Sequence, residues 1–181
     1  MDFDLPNTIA LLSRTPATLN ALLRDLPDAW VLSNEGDNTW TPTAVVAHLI
    51  HGEHTDWMVR ARLILRSGEA EPFQPVDRSA HLRLAQEKSL SELLDNFTQI
   101  RAQNLTELRA LHLQPADLAR RGIHPSFGPV TLAQLFATWA THDLTHLHQI
   151  SRILAHQYRE AVGPWIKFLG VLQCSGHSAP V

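Results

Sequence analysis

The run THDLTHLHQI, residues 141 to 150, carries three histidines within seven positions. His142 and His146 are four apart, so on a helix they stand one above the other on the same face. Two imidazoles so placed can share a divalent cation, but two are seldom enough to hold it, and a third ligand must then come from elsewhere in the chain. The plainer reading is a pair of core histidines hydrogen-bonded to neighbours. Histidine is abundant here, at 11 of 181 residues, and at that frequency roughly 0.7 His-x-x-x-His pairs arise by chance.

Context gives the pair more weight. Leu132, Leu135, Trp139, His142, His146, Ile150 and Ile153 recur every three or four residues, which sets both histidines on an inward stripe. An imidazole buried there without a partner costs about 1–3 kcal/mol, so a hydrogen bond or a metal must serve it. His148 falls on the opposite, exposed side. Asp143 lies a quarter-turn from His142 and reads either as support for a site or as the partner of an arginine.

A second group, His48, His51 and His54, lies in AHLIHGEHTDW. Val45, Leu49 and Trp57 form the apolar side, His48 stands at its edge, and His51 is one turn further along the same edge. Pattern alone leaves both open, with a slight preference for His48. His81 and His124 fall in loops and read as solvated, although either could cover a site. His112, His156 and His177 show no partner pattern. Trp57, Trp139 and Trp165 read as core or pocket wall.

The elements that must position these groups are helical. Ile9, Leu12, Leu19, Leu23 and Leu26 stripe a first segment within residues 5–26, where Pro16 either kinks one helix or opens a second with Thr15 as its cap. Residues 27–40 read as a loop. Thr41-Pro42 starts a second helix that runs to about Arg66, with Gly68 as the stop. Residues 69–88 show no period, a long connection that could leave helices two and three parallel. Ser89 with Glu92, and Thr131 with Gln134, are capping boxes that open the third and fourth helices, which run to about Leu111 and Gln157. RRGIHPSFGP between them reads as a loop. A short fifth helix is expected over residues 164–173, and the tail SGHSAPV as loose chain. Strand signals are nearly absent. The expectation is an all-α four-helix bundle with a short additional C-terminal helix, in a single domain over residues 1–181.

Composition narrows the function. The net charge is −3 and no basic patch stands out, which argues against nucleic acid. The apolar runs are too short to span a bilayer, and the acidic start MDFDLPNTIA lacks the basic and apolar regions of a secretory signal. The single Cys174 excludes a disulfide framework and a multi-cysteine zinc site. A cytoplasmic location is expected.

TWTPTAVVAHLIHGE on the second helix, HPSFGPVTLAQLFATWATHDLTHLHQI leading through the fourth, and QYREAVGPWIKFL after it together resemble the DinB/YfiT-like superfamily. The resemblance covers nearly the whole chain in the right order. It implies a four-helix bundle holding a divalent metal on three histidines, one from the second helix and two from the fourth: His48, His142 and His146. It also implies a homodimer. Members with assigned activity include thiol-dependent S-transferases and a thiol-dependent isomerase, and others are labelled metal-dependent hydrolases.

Three neutral imidazoles leave the metal its full charge and open positions, the layout of a catalytic site. A bound water would have its pKa lowered toward about 7, or a low-molecular-weight thiol would bind as thiolate. Cys174, after the fifth helix, is poorly placed to be that thiol. Zinc or nickel is expected, with copper and iron also compatible with an all-nitrogen site. The expected function is a metal-dependent hydrolase or thiol-dependent S-transferase acting on a small molecule. The alternatives are a non-catalytic metal-binding or stress-associated bundle, and a metal-free bundle with polar core histidines. Arg78, Arg120, Arg121 and His124 are loop groups able to meet a substrate. Metal affinity is expected to fall as pH drops through the histidine pKa near about 6.5.

Overall fold

The helices that open at Leu5, Pro42, Leu90 and Leu132 each begin where a side chain replaces a missing backbone partner. The computed structural model describes residues 2–75, 77 and 79–174. Asp4 accepts from the Asn7 N–H and opens α1 (Leu5–Leu12). Thr41 does the same for α4 (Pro42–Thr55), and both expected capping boxes form, at Ser89 for α7 (Leu90–Ala110) and at Thr131 for α9 (Leu132–His156). Between them lie α2 (Thr15–Leu23), α3 (Asp28–Val31), α5 (Trp57–Ser67), α6 (Ala80–Glu87) and α8 (Pro115–Leu118).

Pro16 splits the first segment into α1 and α2. It has no N–H to return to the Leu12 carbonyl, so the helix cannot continue through it. That carbonyl instead accepts from Arg101 Nη1 at 2.9 Å. Thr15 does not cap α2; its hydroxyl donates to Asp143. The second helix also breaks, at Asp56, whose φ of −115° and ψ of −82° lie outside the helical region. Beside the break the Glu53 carbonyl accepts from the Asn104 side chain at 3.0 Å.

The four rods are α1–α2, α4–α5, α7 and α9. Glu53 meets Arg101 and Arg62 meets Glu107, so numbers rise together and α4–α5 runs parallel to α7. Asn20 meets Thr98 and Arg24 meets Asp95, so α2 runs antiparallel to α7. Trp57 stacks on Trp139 while His48 meets His146, so α9 runs antiparallel to α4–α5. The parallel pair requires a crossover from one end of the bundle to the other. The segment after α5 supplies it, and α6 within it packs on α4.

Several segments read as loops are ordered otherwise. α3 lies within 27–40 and α6 within 69–88. RRGIHPSFGP is a hairpin of β1 (Arg121–His124) and β2 (Gly128–Thr131), paired antiparallel with Gly122 opposite Val130. The expected fifth helix is two 3-10 turns, Gly163–Phe168 and Gly170–Leu172. Arg78 and the tail from residue 175, with His177, lie outside the described residues.

The core has two parts. One gathers Leu12, Trp57, Ile64, Leu105, Phe136 and Trp139. The other gathers Leu19, Val46, Ile50, Leu94, Phe97 and Ile150. On every rod a buried polar residue lies between the two parts, namely Thr15, Glu53, Arg101 and Asp143, with the three expected histidines beside them. The bundle is thus two apolar cores separated by a polar layer.

Candidate metal centre

His48 lies in the second turn of α4, and His142 and His146 lie near the middle of α9. The antiparallel pairing brings them together. His48 Nε2 is 3.2 Å from His142 Nε2, and His146 Nε2 is 3.1 Å from the same atom. One ring nitrogen from each of the three lies within 4.8 Å of the others.

Hydrogen bonds alone cannot satisfy this arrangement. A neutral imidazole nitrogen is either a donor or an acceptor. His146 Nδ1 faces Gln149 Oε1 at 2.7 Å, an acceptor, so Nδ1 carries the proton and Nε2 presents a lone pair. If His142 Nε2 donates to it, that atom cannot also accept from His48. If it accepts from His48, two lone pairs face each other across the His142–His146 gap. At best the one His142 hydrogen is shared between the two contacts, so no tautomer gives each contact its own.

Protonation is a poor remedy. Burial, reinforced by His146, His142 and further histidines, lowers the His48 pKa to about 2. Burial, with His146 and the Arg101 charge, lowers His142 to about 3. Burial lowers His146 too, against the Gln149 hydrogen bond and the Asp143 charge. Three neutral rings with converging lone pairs fit a divalent cation. Nitrogens bound at about 2.0–2.1 Å with tetrahedral angles lie about 3.3 Å apart, close to the His48–His142 and His142–His146 spacings of 3.2 and 3.1 Å.

The surroundings are aromatic. Trp40, just before the Thr41 cap, lies 18° from parallel to the His146 ring at 6.1 Å and also contacts His48 at 4.9 Å. Trp57 stands edge-on to His142 at 5.0 Å. His81 is not a solvated loop residue: it lies on α6, 1% exposed, edge-on to Trp40 at 4.4 Å and to His48 at 5.1 Å. The loop carrying Trp40 is fastened to α9 by the part-buried pair of Glu35 with Arg152.

Behind the histidines the polar layer is one connected network. Arg101 donates through Nε and Nη2 to Glu53 Oε1 at 3.0 and 2.7 Å, and through Nη1 and Nη2 to the two Asp143 oxygens at 2.6 and 3.0 Å. With the Leu12 carbonyl, all five guanidinium N–H groups are used. Glu53 also accepts from Asn104 Nδ2 at 2.8 Å and from Trp139 Nε1 at 2.9 Å. Burial alone would lower the Arg101 pKa, but the hydrogen bonds and charges of Asp143 and Glu53 outweigh it and raise it. Asp143 therefore resolves as the partner of an arginine.

Other expected site residues stand elsewhere. His51 is half-buried on α4 and outside the cluster, its pKa lowered by burial against an opposing Asp77 contribution. His148 is exposed, as expected. His124 stacks on Phe127 at the hairpin. Arg120 donates to the Leu65 carbonyl and Arg121 pairs with Glu69, so both serve the fold. Trp165 is 69% exposed and walls nothing, whereas Trp57 and Trp139 are buried. Cys174 is exposed and its thiol donates to the Gly170 carbonyl. Arg101, Glu53 and Gln149 were missed. Arg101 and Glu53 do leave a signal, because Phe97–Arg101–Leu105 and Leu49–Glu53–Trp57 place a charge where the apolar stripe requires an apolar residue.

The sequence profile of the DinB superfamily matches residues 11–150, and the chain belongs to that superfamily. Among solved structures it is similar to YfiT from Bacillus subtilis, described as "a probable metal-dependent hydrolase with an unusual four-helix bundle topology". Identity there is 22%, covering 86% of this chain and 87% of that one, with a TM-score of 0.72. It is also similar to TT2238, "a four-helix bundle protein", at 22% identity over 81% of this chain and 97% of that one, with a TM-score of 0.50. No curated protein matches the chain.

Proposed function

We propose that this chain is a metal-dependent enzyme that binds one divalent ion, zinc or nickel, through Nε2 of His48, His142 and His146. The observation that carries the reading is the convergence of three largely buried ring nitrogens whose two contacts no tautomer supplies with a hydrogen each. Such an ion would keep open positions for water or a thiolate and would act there as a Lewis acid. The chain's part is to hold the imidazoles neutral by burial, to fix the His146 tautomer through Gln149, and to exclude water with Trp40, Trp57 and His81.

The reaction we propose is hydrolysis of a small molecule, in line with the description of YfiT. Transfer to a low-molecular-weight thiol is the second chemistry the same open position would support. Because Cys174 is exposed and bonded elsewhere, that thiol would have to be a substrate. The test is a screen of esters, amides and thiol–electrophile pairs with zinc- and nickel-loaded and metal-stripped protein. Metal-dependent turnover supports the enzyme, and the class that turns over decides between hydrolase and transferase. Stoichiometric metal with no turnover across the screen favours the non-catalytic bundle. A homodimer in solution is proposed as well, and sedimentation showing only single chains would remove it.

A further inference from the structure

Arg101 is costly to bury. Its side chain is 1% exposed, and those of Glu53 and Asp143 are 0% and 2% exposed. Buried ion pairs rarely stabilise a fold more than apolar side chains of similar volume would. Here, one guanidinium between two carboxylates also leaves a formal negative charge in excess. A layer of leucines would join the two apolar cores at least as well, so fold stability does not account for this one.

Its placement offers another reason. Glu53 lies on α4, five residues beyond His48, and Asp143 directly follows His142 on α9. These are the two helices whose register decides whether the imidazole nitrogens meet. The guanidinium is planar and rigid, so holding a carboxylate from each helix fixes their relative position. Trp139 of α9 ties to Glu53 of α4 as well. The Asp143 charge reaches His146, whereas the Arg101 charge is the one felt at His142.

We propose that Arg101, with Glu53 and Asp143, is the positioning element of the three-histidine centre and sets its ligand geometry. This rests on the metal reading above. None of the three is among the histidine ligands; they act through the helices that carry them.

The test uses the full chain with Zn²⁺ and Co²⁺ as probes. Arg101→Lys keeps the charge and loses the planar fork. Glu53→Gln keeps the shape and removes the charge that holds the guanidinium to α4. Each is expected to weaken Zn²⁺ binding by about 10–100-fold, the range typical of groups that support metal ligands. Arg101→Lys is also expected to alter the visible absorption of bound Co²⁺, which reports ligand geometry. The rise in Tm on metal loading should shrink in both variants. A purely structural role predicts another pattern: a lower Tm for metal-free protein, with the metal-induced rise, the Zn²⁺ affinity and the Co²⁺ spectrum as in the wild type. That pattern in both variants overturns the inference and leaves the metal reading standing. Should Arg101→Lys fail to fold, Glu53→Gln alone decides, with an affinity within twofold of wild type as the contrary result. A wild-type chain that takes up neither ion removes the metal reading and this inference together.

Discussion

The His142–His146 pair is legible in the sequence because helical spacing and the apolar stripe coincide there. The third member is not, since His48 and His51 share one edge of the same helix and only the superfamily pattern separates them. Gln149 is hidden for a related reason: a glutamine near the end of an apolar stripe carries no signal until its partner is seen. Replacing Gln149 with Leu should free the His146 ring to take the wrong tautomer. Metal affinity is then expected to fall about 10–100-fold with the fold intact, as measured by competition with a chelating dye.

Acid behaviour also belongs at this scale. His48 and His142 have folded pKa values near 2 and 3, below the unfolded value of 6.5. The unfolded chain therefore binds more protons between those limits, and stability falls as pH drops below about 6.5. Each histidine contributes a slope of up to about 1.4 kcal/mol per pH unit in that window. The sequence alone placed proton competition for the metal near pH 6.5. Burial moves it lower, so between pH 7.5 and 5.5 affinity in the folded state should fall far less than three solvent-exposed imidazoles would allow, while denaturant midpoints of the metal-free protein decline. A tenfold loss of affinity across that interval, in protein shown to be folded, would contradict the assigned environments.

At the scale of elements, the long helices were legible because side-chain caps and apolar periods agree at their ends. The helix break at Asp56 was not, since no Gly or Pro marks it. α6 escaped because it is eight residues long and Ser79 makes no capping hydrogen bond with it. The hairpin escaped because four-residue strands containing Gly and Pro show no alternation. Yet the hairpin is closely fitted. A Cβ on Gly122 would stand 2.7 Å from Phe73 Cε1 and 2.8 Å from Ile64 Cγ1. Gly122→Ala should cost about 1–3 kcal/mol by overpacking, read from a shifted denaturant midpoint with unchanged metal stoichiometry. An unchanged midpoint would mean that the crossover segment yields freely there.

Over the whole molecule, the bundle class follows from four striped helices, and the parallel pairing of the second and third follows from the long crossover between them. Among the described residues no helix is long and apolar enough to cross a membrane. Two apolar cores flank the polar layer, so the chain should remain folded when a chelator strips the metal. Far-UV circular dichroism should stay helical while Tm drops. Loading at a hundred times Kd should restore about 2.7 kcal/mol. Collapse of the helical signal on chelation would instead make the metal structural.

The most direct measurement is metal content per chain after identical zinc loading and dialysis, for the wild type and single Ala variants at His48, His142, His146, His51 and His148. The wild type, His51→Ala and His148→Ala should each retain one ion. His48→Ala, His142→Ala and His146→Ala should retain little or none while remaining helical. Full occupancy in His48→Ala, or loss of the ion in His148→Ala, would contradict the assignment of the centre.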